Sequence, residues 1–176
     1  MDAVGTAPRV LWLTGLSGAG KSTLAEALHQ HLGEAGRMAV VLDGDAVRAG
    51  LCRGLGFSPE DRRENIRRVA EVARLMCDAG LVVICALISP LRDDREMARQ
   101  IVGAAGFREV HIATPLEVCE QRDPKGLYRN ARAKALPQFT GVSAPYEAPL
   151  APDLRIDASR VSIGDAVVAL AGLLRR

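Results

Sequence analysis

Eight residues constrain this chain more than any others: Gly15-Leu16-Ser17-Gly18-Ala19-Gly20-Lys21-Ser22. They follow the apolar run Val10-Leu11-Trp12-Leu13 and precede Leu24, Ala27, Leu28 and Leu32, which recur at helical spacing. The pattern predicts a strand, a loop, and a helix from Ser22 to Ala35. In that setting, glycine, four residues and then Gly-Lys-Ser make a phosphate-binding loop. Its glycines let backbone amides wrap around phosphates, and the helix N-terminus favours negative charge. Lys21 then reaches the β- and γ-phosphates of ATP, and the Ser22 hydroxyl meets Mg2+. Gly15, Ser17, Gly18, Ala19, Gly20, Lys21, Ser22 and Thr23 are the expected ATP-binding residues.

The rest of the chain repeats the alternation. Ala39-Val40-Val41-Leu42 stops at Asp43-Gly44-Asp45, and Leu81 to Ala86 stops before Ser89-Pro90. Both read as buried parallel strands with polar tips. Between them, Ser58-Pro59-Glu60-Asp61 supplies a cap, a first-turn proline and early acids for a helix carrying Ile66, Val69, Ala70, Ala73, Met76 and Cys77, closed by Gly80. Arg108 to Ile112 and Leu154 to Ile156 are weaker strand candidates, and Ser162 with Asp165 opens a C-terminal helix through Leu174. The expected class is α/β, a mostly parallel sheet with helices on both faces and a cleft at the carboxyl ends of its strands. Asp123 to Pro152 resists this scheme. It holds five of the nine prolines and one short helical piece, residues 126–134, which suits a lid.

A length of 176 residues matches a single domain spanning 1–176. The net charge of +2 is spread along the chain without like-charge blocks, which argues against bulk nucleic-acid binding. Met1 to Pro8 lacks a basic and then apolar signal pattern, and the longest apolar run, Leu81 to Ile88, is too short to span a bilayer. A soluble, cytoplasmic protein with no membrane partner is expected. Cys52, Cys77, Cys85 and Cys119 form no CxxC pair and read as reduced, mostly core thiols.

Further residues suit phosphoryl transfer. Asp43 and Asp45 stand at a strand tip, where acids hold a Mg2+ shell or take a proton from an attacking hydroxyl, although an acid there is more often a turn or helix cap. Arg62 and Asn65 share one face of the long helix and can point together into the cleft, while Arg63 and Arg67 turn elsewhere. Arg122, Lys125, Arg129 and Arg132 punctuate the proposed lid, where cations neutralise phosphoryl charge. GTPase logic is absent: there is no Asn-Lys-x-Asp for guanine, and no Asp-x-x-Gly stands at a strand tip as a switch. Aromatic residues make up only 3% of the chain, yet Phe57 and Phe139 both fall in loops, where two rings could clamp a nucleobase.

Taken together, Gly15 to Thr23, Leu42-Asp43-Gly44-Asp45 with Arg48, Gly56-Phe57-Ser58, Asp61-Arg62, Glu64-Asn65-Ile66-Arg67-Arg68 and Ile88-Ser89-Pro90 resemble the adenylylsulfate kinase family of P-loop kinases. The likeness continues through Pro115 to Asp123, Lys125-Gly126-Leu127-Tyr128, Ala131-Arg132-Ala133, Phe139-Thr140-Gly141 and Pro145-Tyr146-Glu147. It implies a P-loop kinase fold, ATP and Mg2+ as cofactors, and transfer of the γ-phosphate to the 3'-hydroxyl of adenylylsulfate. A homodimer and a functional link to an ATP sulfurylase are implied as partners.

By position in the family's motifs, Asp45, Lys21 and Ser89 become the catalytic residues, with Ser22 and Asp43 at the metal. Asp45, Arg48, Phe57, Arg62, Asn65, Ile88, Ser89, Lys125 and Phe139 surround the adenylylsulfate, whose adenine lies between the two phenylalanines. Ser89 also holds the family's phosphoserine position. Leu91, Gly54, Ser143, Lys134 and Pro137 depart from the family pattern, which directs attention to the lid. Two other readings are a P-loop kinase for a nucleoside or nucleotide, and a nucleotide-binding domain without activity.

Overall fold

The computed structural model describes residues 9–175. Met1 to Pro8, the stretch without a signal pattern, lies outside the described residues. The elements run β1 (Val10–Thr14), α1 (Lys21–Glu34), β2 (Ala39–Asp43), α2 (Gly44–Ala49), α3 (Pro59–Asp78), β3 (Val82–Ala86), α4 (Arg92–Val102), β4 (Phe107–Ile112), α5 (Leu116–Arg122), α6 (Leu127–Arg132), β5 (Leu154–Ile156) and α7 (Ile163–Leu173). The five strands form one sheet in the order β2-β3-β1-β4-β5, with every pairing parallel.

β1 is central and entirely buried, which is why its sequence is apolar without alternation. The strand's period of two still sorts its side chains. Leu11 and Leu13 pack with Leu24, Leu28 and Leu32 of α1 and with Leu170 of α7 on one face. Val10 and Trp12 pack with Ile66, Val69, Ala70 and Ala73 of α3 and with Ala98 of α4 on the other. The sheet is thus covered on both sides, as a parallel sheet requires.

Local chemistry sets the helix starts. Ser58 accepts from the Asp61 amide at 3.1 Å with Pro59 in the first turn, and Ser162 accepts from the Asp165 amide at 3.1 Å. α2, α4 and α5 were not anticipated as helices. α4 hides its periodicity because its buried face includes Asp94 and Arg95 beside Ala98. All four cysteines are free, and Cys77 alone among them is not fully buried. Among the described residues, no helix is long and apolar enough to cross a membrane.

The proposed lid of residues 123–152 divides in two. Its first half carries α6, shorter than the expected 126–134, with Gly126 and Lys134 both at positive φ beyond its ends. Its second half is tied to the body: Thr140 bridges Ala144, and the Glu147 amide donates to the Pro90 carbonyl at 2.8 Å. The mobile part of the proposal therefore narrows to the residues before Phe139.

Candidate active site

The loop between β1 and α1 has its carbonyl groups occupied by the protein. Lys21 Nζ donates to Gly15 O at 2.9 Å and Leu16 O at 2.7 Å, and Tyr128 OH to Ser17 O at 2.8 Å. Arg122 donates to Gly18 O at 3.2 Å, Thr114 to Ala19 O at 2.7 Å, and the Leu24 amide to Gly20 O at 3.0 Å. With these acceptors satisfied, the capacity left to the loop lies in its N–H groups, which suit an anion. Two glycines are required for the shape. A Cβ on Gly15 would stand 2.5 Å from Ile112 O, and Gly20 caps α1 at φ 106.

Burial lowers the Lys21 pKa to about 8, opposed by the neighbouring Cys119, Asp43 and Asp45. The ammonium is held by the neutral Gly15 and Leu16 carbonyls. One residue on, Ser22 Oγ donates to Asp43 Oδ2 at 2.5 Å, while Asp43 Oδ1 caps α2 by accepting from the Asp45 amide at 3.0 Å. The carboxylate thus serves both as a helix cap and as a partner to the loop hydroxyl.

Across the cleft, Lys125 of the lid makes an ion pair with Asp45. Arg48 lies over the Phe57 ring, 4.2 Å from its centroid, and donates to Gly56 O at 2.8 Å. Arg62 is fully engaged by the protein: Nε with Phe57 O at 2.9 Å, Nη1 with Thr140 Oγ1 at 2.9 Å and Nη2 with Gln138 O at 2.6 Å. Its guanidinium is the clasp that brings the Phe57 loop against the residues flanking Phe139. Arg62, expected to point into the cleft beside the adenylylsulfate, thus has all three guanidinium nitrogens taken by loop carbonyls and a hydroxyl. Arg63 and Arg67 turn elsewhere as expected, to Asp94 and Glu64.

The two aromatic candidates differ. Phe57 is 59% exposed, whereas Phe139 is 8% exposed and packs edge-on against Tyr128 with centroids 5.0 Å apart. Asn65 is buried, and its Oδ1 has no hydrogen-bond partner among the described residues. A buried acceptor one helical turn from Arg62 suits a hydrogen-bond donor.

Ser89 is the residue whose placement differs most from expectation. Its hydroxyl faces the core, accepting from Trp12 Nε1 at 3.1 Å and donating to Leu87 O at 3.3 Å, and the residue is only 3% exposed. A catalytic or phosphoacceptor hydroxyl has to meet the cleft, and this one does not. The cause is backbone conformation: φ of 39° at Ser89 turns the chain so that the side chain enters the sheet. Beside it, Ile88 O accepts from Thr14 Oγ1 at 2.6 Å.

Sequence reasoning overlooked Tyr128 and Thr114, which hold the P-loop carbonyls from outside. Two of the departures also acquire a physical meaning. Lys134 takes φ 59, a conformation that a glycine adopts freely and a lysine only with local strain. Ser143 Oγ accepts from the Phe139 amide at 2.9 Å, so the hydroxyl closes this turn.

A family profile for adenylylsulphate kinase matches residues 7–157. The chain belongs to the adenylylsulphate kinase family. An adenylyl-sulfate kinase of Shewanella amazonensis is 58% identical over 165 residues, 94% of this chain and 83% of the relative. The Mycobacterium tuberculosis APS kinase CysC, solved in complex with AMPPNP and APS, superposes with a TM-score of 0.92 at 46% identity, covering 97% of this chain and 99% of that one. A hexameric APS kinase from Thiobacillus denitrificans gives 0.71 at 35% identity, covering 97% of this chain and 29% of its own. This kinship agrees with the observed α/β architecture.

Proposed function

We infer that this chain transfers the γ-phosphoryl group of ATP to the 3'-hydroxyl of adenylylsulfate, giving 3'-phosphoadenylylsulfate and ADP. The observation that carries the reading is the meeting of Asp45 and Lys125 across the cleft from a P-loop whose carbonyls are all engaged. It puts one proton acceptor and one mobile cation opposite a phosphate cradle.

The residues divide the work. The P-loop amides and Lys21 hold the β- and γ-phosphates, with Lys21 exchanging the Gly15 and Leu16 carbonyls for phosphate oxygens. Ser22 and Asp43 present the hard oxygen donors that fit Mg2+, an ion that binds through few protein oxygens beside substrate phosphates. When bound, the ion offsets negative charge on those phosphates. Asp45 takes the proton of the 3'-hydroxyl as the O3'–Pγ bond forms and the bond from Pγ to the ADP oxygen breaks. Lys125 leaves Asp45 for the anionic phosphosulfate of the incoming substrate. Phe57 and Phe139, joined through Arg62, hold the adenine, and Asn65 Oδ1 accepts from the nucleoside. Ile88 and Ser89 contribute backbone to this wall.

The name of the Shewanella relative and the ligands of the Mycobacterium neighbour support the substrate assignment. Coupled ADP release on addition of adenylylsulfate, run beside adenosine, AMP and CMP, tests it. Turnover with adenylylsulfate alone is the expected result, and equal use of a nucleoside or nucleotide overturns it. A cytoplasmic homodimer working beside an ATP sulfurylase belongs to the same reading, and the hexameric relative supports self-association. Light scattering at a dimer's mass is the expected result.

The pH dependence of nucleotide binding follows from Lys21. Its pKa of about 8 is below the ordinary 10.5, and bound phosphate favours the protonated form, so the complex takes up a proton above pH 8. The Kd for MgATP should be flat below pH 8 and rise about tenfold per unit above it. Stability of the unliganded protein should move the opposite way, rising between about 8 and 10.5 where the unfolded chain binds the more protons. Calorimetry at pH 7 and 9.5 checks the binding, and equal affinities would contradict it.

The aromatic residues give a second test. Phe57→Ala should weaken adenylylsulfate binding by about 5- to 150-fold, the equivalent of roughly 1 to 3 kcal/mol of stacking, with the melting temperature almost unchanged because the ring is exposed. Phe139→Ala should lose affinity and also melt earlier, since its ring packs against Tyr128. Calorimetry with thermal melts separates the two, and unaltered affinity in both variants would defeat the clamp.

A further inference from the structure

Arg95, in the first turns of α4, is 2% exposed and has every nitrogen of its guanidinium engaged. Nε donates to Glu109 Oε1 of β4 at 2.6 Å, Nη1 to Ser89 O at 2.7 Å, and Nη2 to Glu147 O at 2.7 Å. The three acceptors belong to a sheet strand, the turn after β3 and the second half of residues 123–152, which is tied to the body. Few side chains other than arginine can hold three such points in one plane.

The turn is the part that needs holding. Ser89 has φ 39, a strained conformation for a serine that persists only where its surroundings over-determine it. Around it, Ser89 O accepts from Arg95 and from Thr14 Oγ1 at 3.3 Å, and Ser89 Oγ accepts from Trp12. Thr14 Oγ1 also reaches Ile88 O and stands 3.0 Å from Tyr146 OH, and Arg95 lies 5.9 Å from the Tyr146 ring centroid. Arg95, Thr14 and Tyr146 therefore lock residues 88–90 to residues 145–147. The Glu147 amide on Pro90 O and the Arg92 amide on Glu147 Oε2, both at 2.8 Å, complete the seam.

We propose that Arg95 is a positioning residue of the acceptor site, holding the strained Ile88-Ser89 turn against the 145–147 segment so that its backbone forms one wall for adenylylsulfate. This rests on the function inferred above. The partly buried Glu109 carboxylate compensates the guanidinium, and neither group touches the nucleotide loop, so the consequence is confined to the acceptor. A displacement of about 1 Å at a substrate wall is worth up to roughly 100-fold.

Arg95→Lys keeps the charge and loses the planar fork. It should weaken adenylylsulfate binding about 10- to 100-fold while leaving MgATP affinity within about twofold. Tyr146→Phe, which removes only the hydroxyl at Thr14, should weaken the acceptor about two- to fivefold in the same selective way. Binding of each ligand by calorimetry, and hydrogen exchange of unliganded protein, are measured on both variants and the parent. Exchange should quicken in residues 87–91 and 145–148 and stay unchanged in 15–24. Equal loss of both ligands, or exchange quickened throughout, means Arg95 is only structural, and unchanged adenylylsulfate affinity in the folded variants overturns the proposal outright. If Arg95→Lys does not fold, Tyr146→Phe decides between these outcomes. A parent protein that fails to bind adenylylsulfate removes the functional reading and the acceptor wall with it. The exchange pattern then reports separately on whether the seam exists.

Discussion

Replacing Lys21 with alanine is expected to cost about 10^3- to 10^5-fold in turnover, the range associated with removing a cation from a transferring phosphoryl group. The ammonium is bonded to Gly15 O and Leu16 O, so it is desolvated and aimed into the loop. Its lowered pKa records the cost of that burial. Binding of the phosphates relieves the cost, because the same ammonium exchanges dipoles for full negative charges. The benefit is greatest where charge accumulates on the oxygen between Pγ and ADP, so the loss should appear in kcat more than in ATP affinity. Arg122 and Lys125 do not replace it: one donates to Gly18 O and Ala158 O from outside the loop, and the other is paired with Asp45. Single-turnover rates at saturating ATP measure the effect. Turnover within tenfold of the parent would remove the P-loop from the mechanism.

Much of this architecture is legible in the sequence because it rests on short-range rules. β1, β2 and β3 are apolar runs broken by turn residues, and α3 begins where Ser58 and Pro59 place it. What was not legible depends on partners far along the chain. α4 exposes one polar face and buries another, and Arg95 makes sense only once Glu109, Ser89 and Glu147 converge on it from 14, 6 and 52 residues away. The inward turn of Ser89 has the same origin, since a positive φ at a serine is decided by Trp12, Thr14 and Arg95 and not by its neighbours. Arg62 was correctly placed beside Asn65 on one helix face, but two of its three acceptors, Gln138 O and Thr140 Oγ1, come from far along the chain. Helical spacing gives a direction and not a partner. Phe139 illustrates the same limit: a loop aromatic proved to be buried against Tyr128, a contact no local pattern announces.

Asp45→Asn should lower kcat by about 10^2- to 10^4-fold, the usual scale of a general base, while MgATP binds nearly as before. The amide preserves the volume and the hydrogen bond to a hydroxyl, so substrate placement survives, but it does not accept the 3'-hydroxyl proton. Geometry separates Asp45 from Asp43. The Asp43 carboxylate is occupied by Ser22 Oγ and by the Asp45 amide, one interaction on each oxygen, which suits a group that fixes the loop and α2. Asp45 stands outside the cap with its side chain 73% exposed, bound only to the Lys125 ammonium of the lid. Asp43→Asn is accordingly expected to weaken Mg2+-dependent ATP binding and to loosen the start of α2, where loss of a capping side chain costs about 1 kcal/mol. The Mg2+ dependence of ATP affinity and the single-turnover rate, measured on both variants, divide the roles. If Asp43→Asn loses the chemical step with normal Mg2+ dependence while Asp45→Asn turns over like the parent, the assignments are reversed, and the base is the residue that binds Ser22.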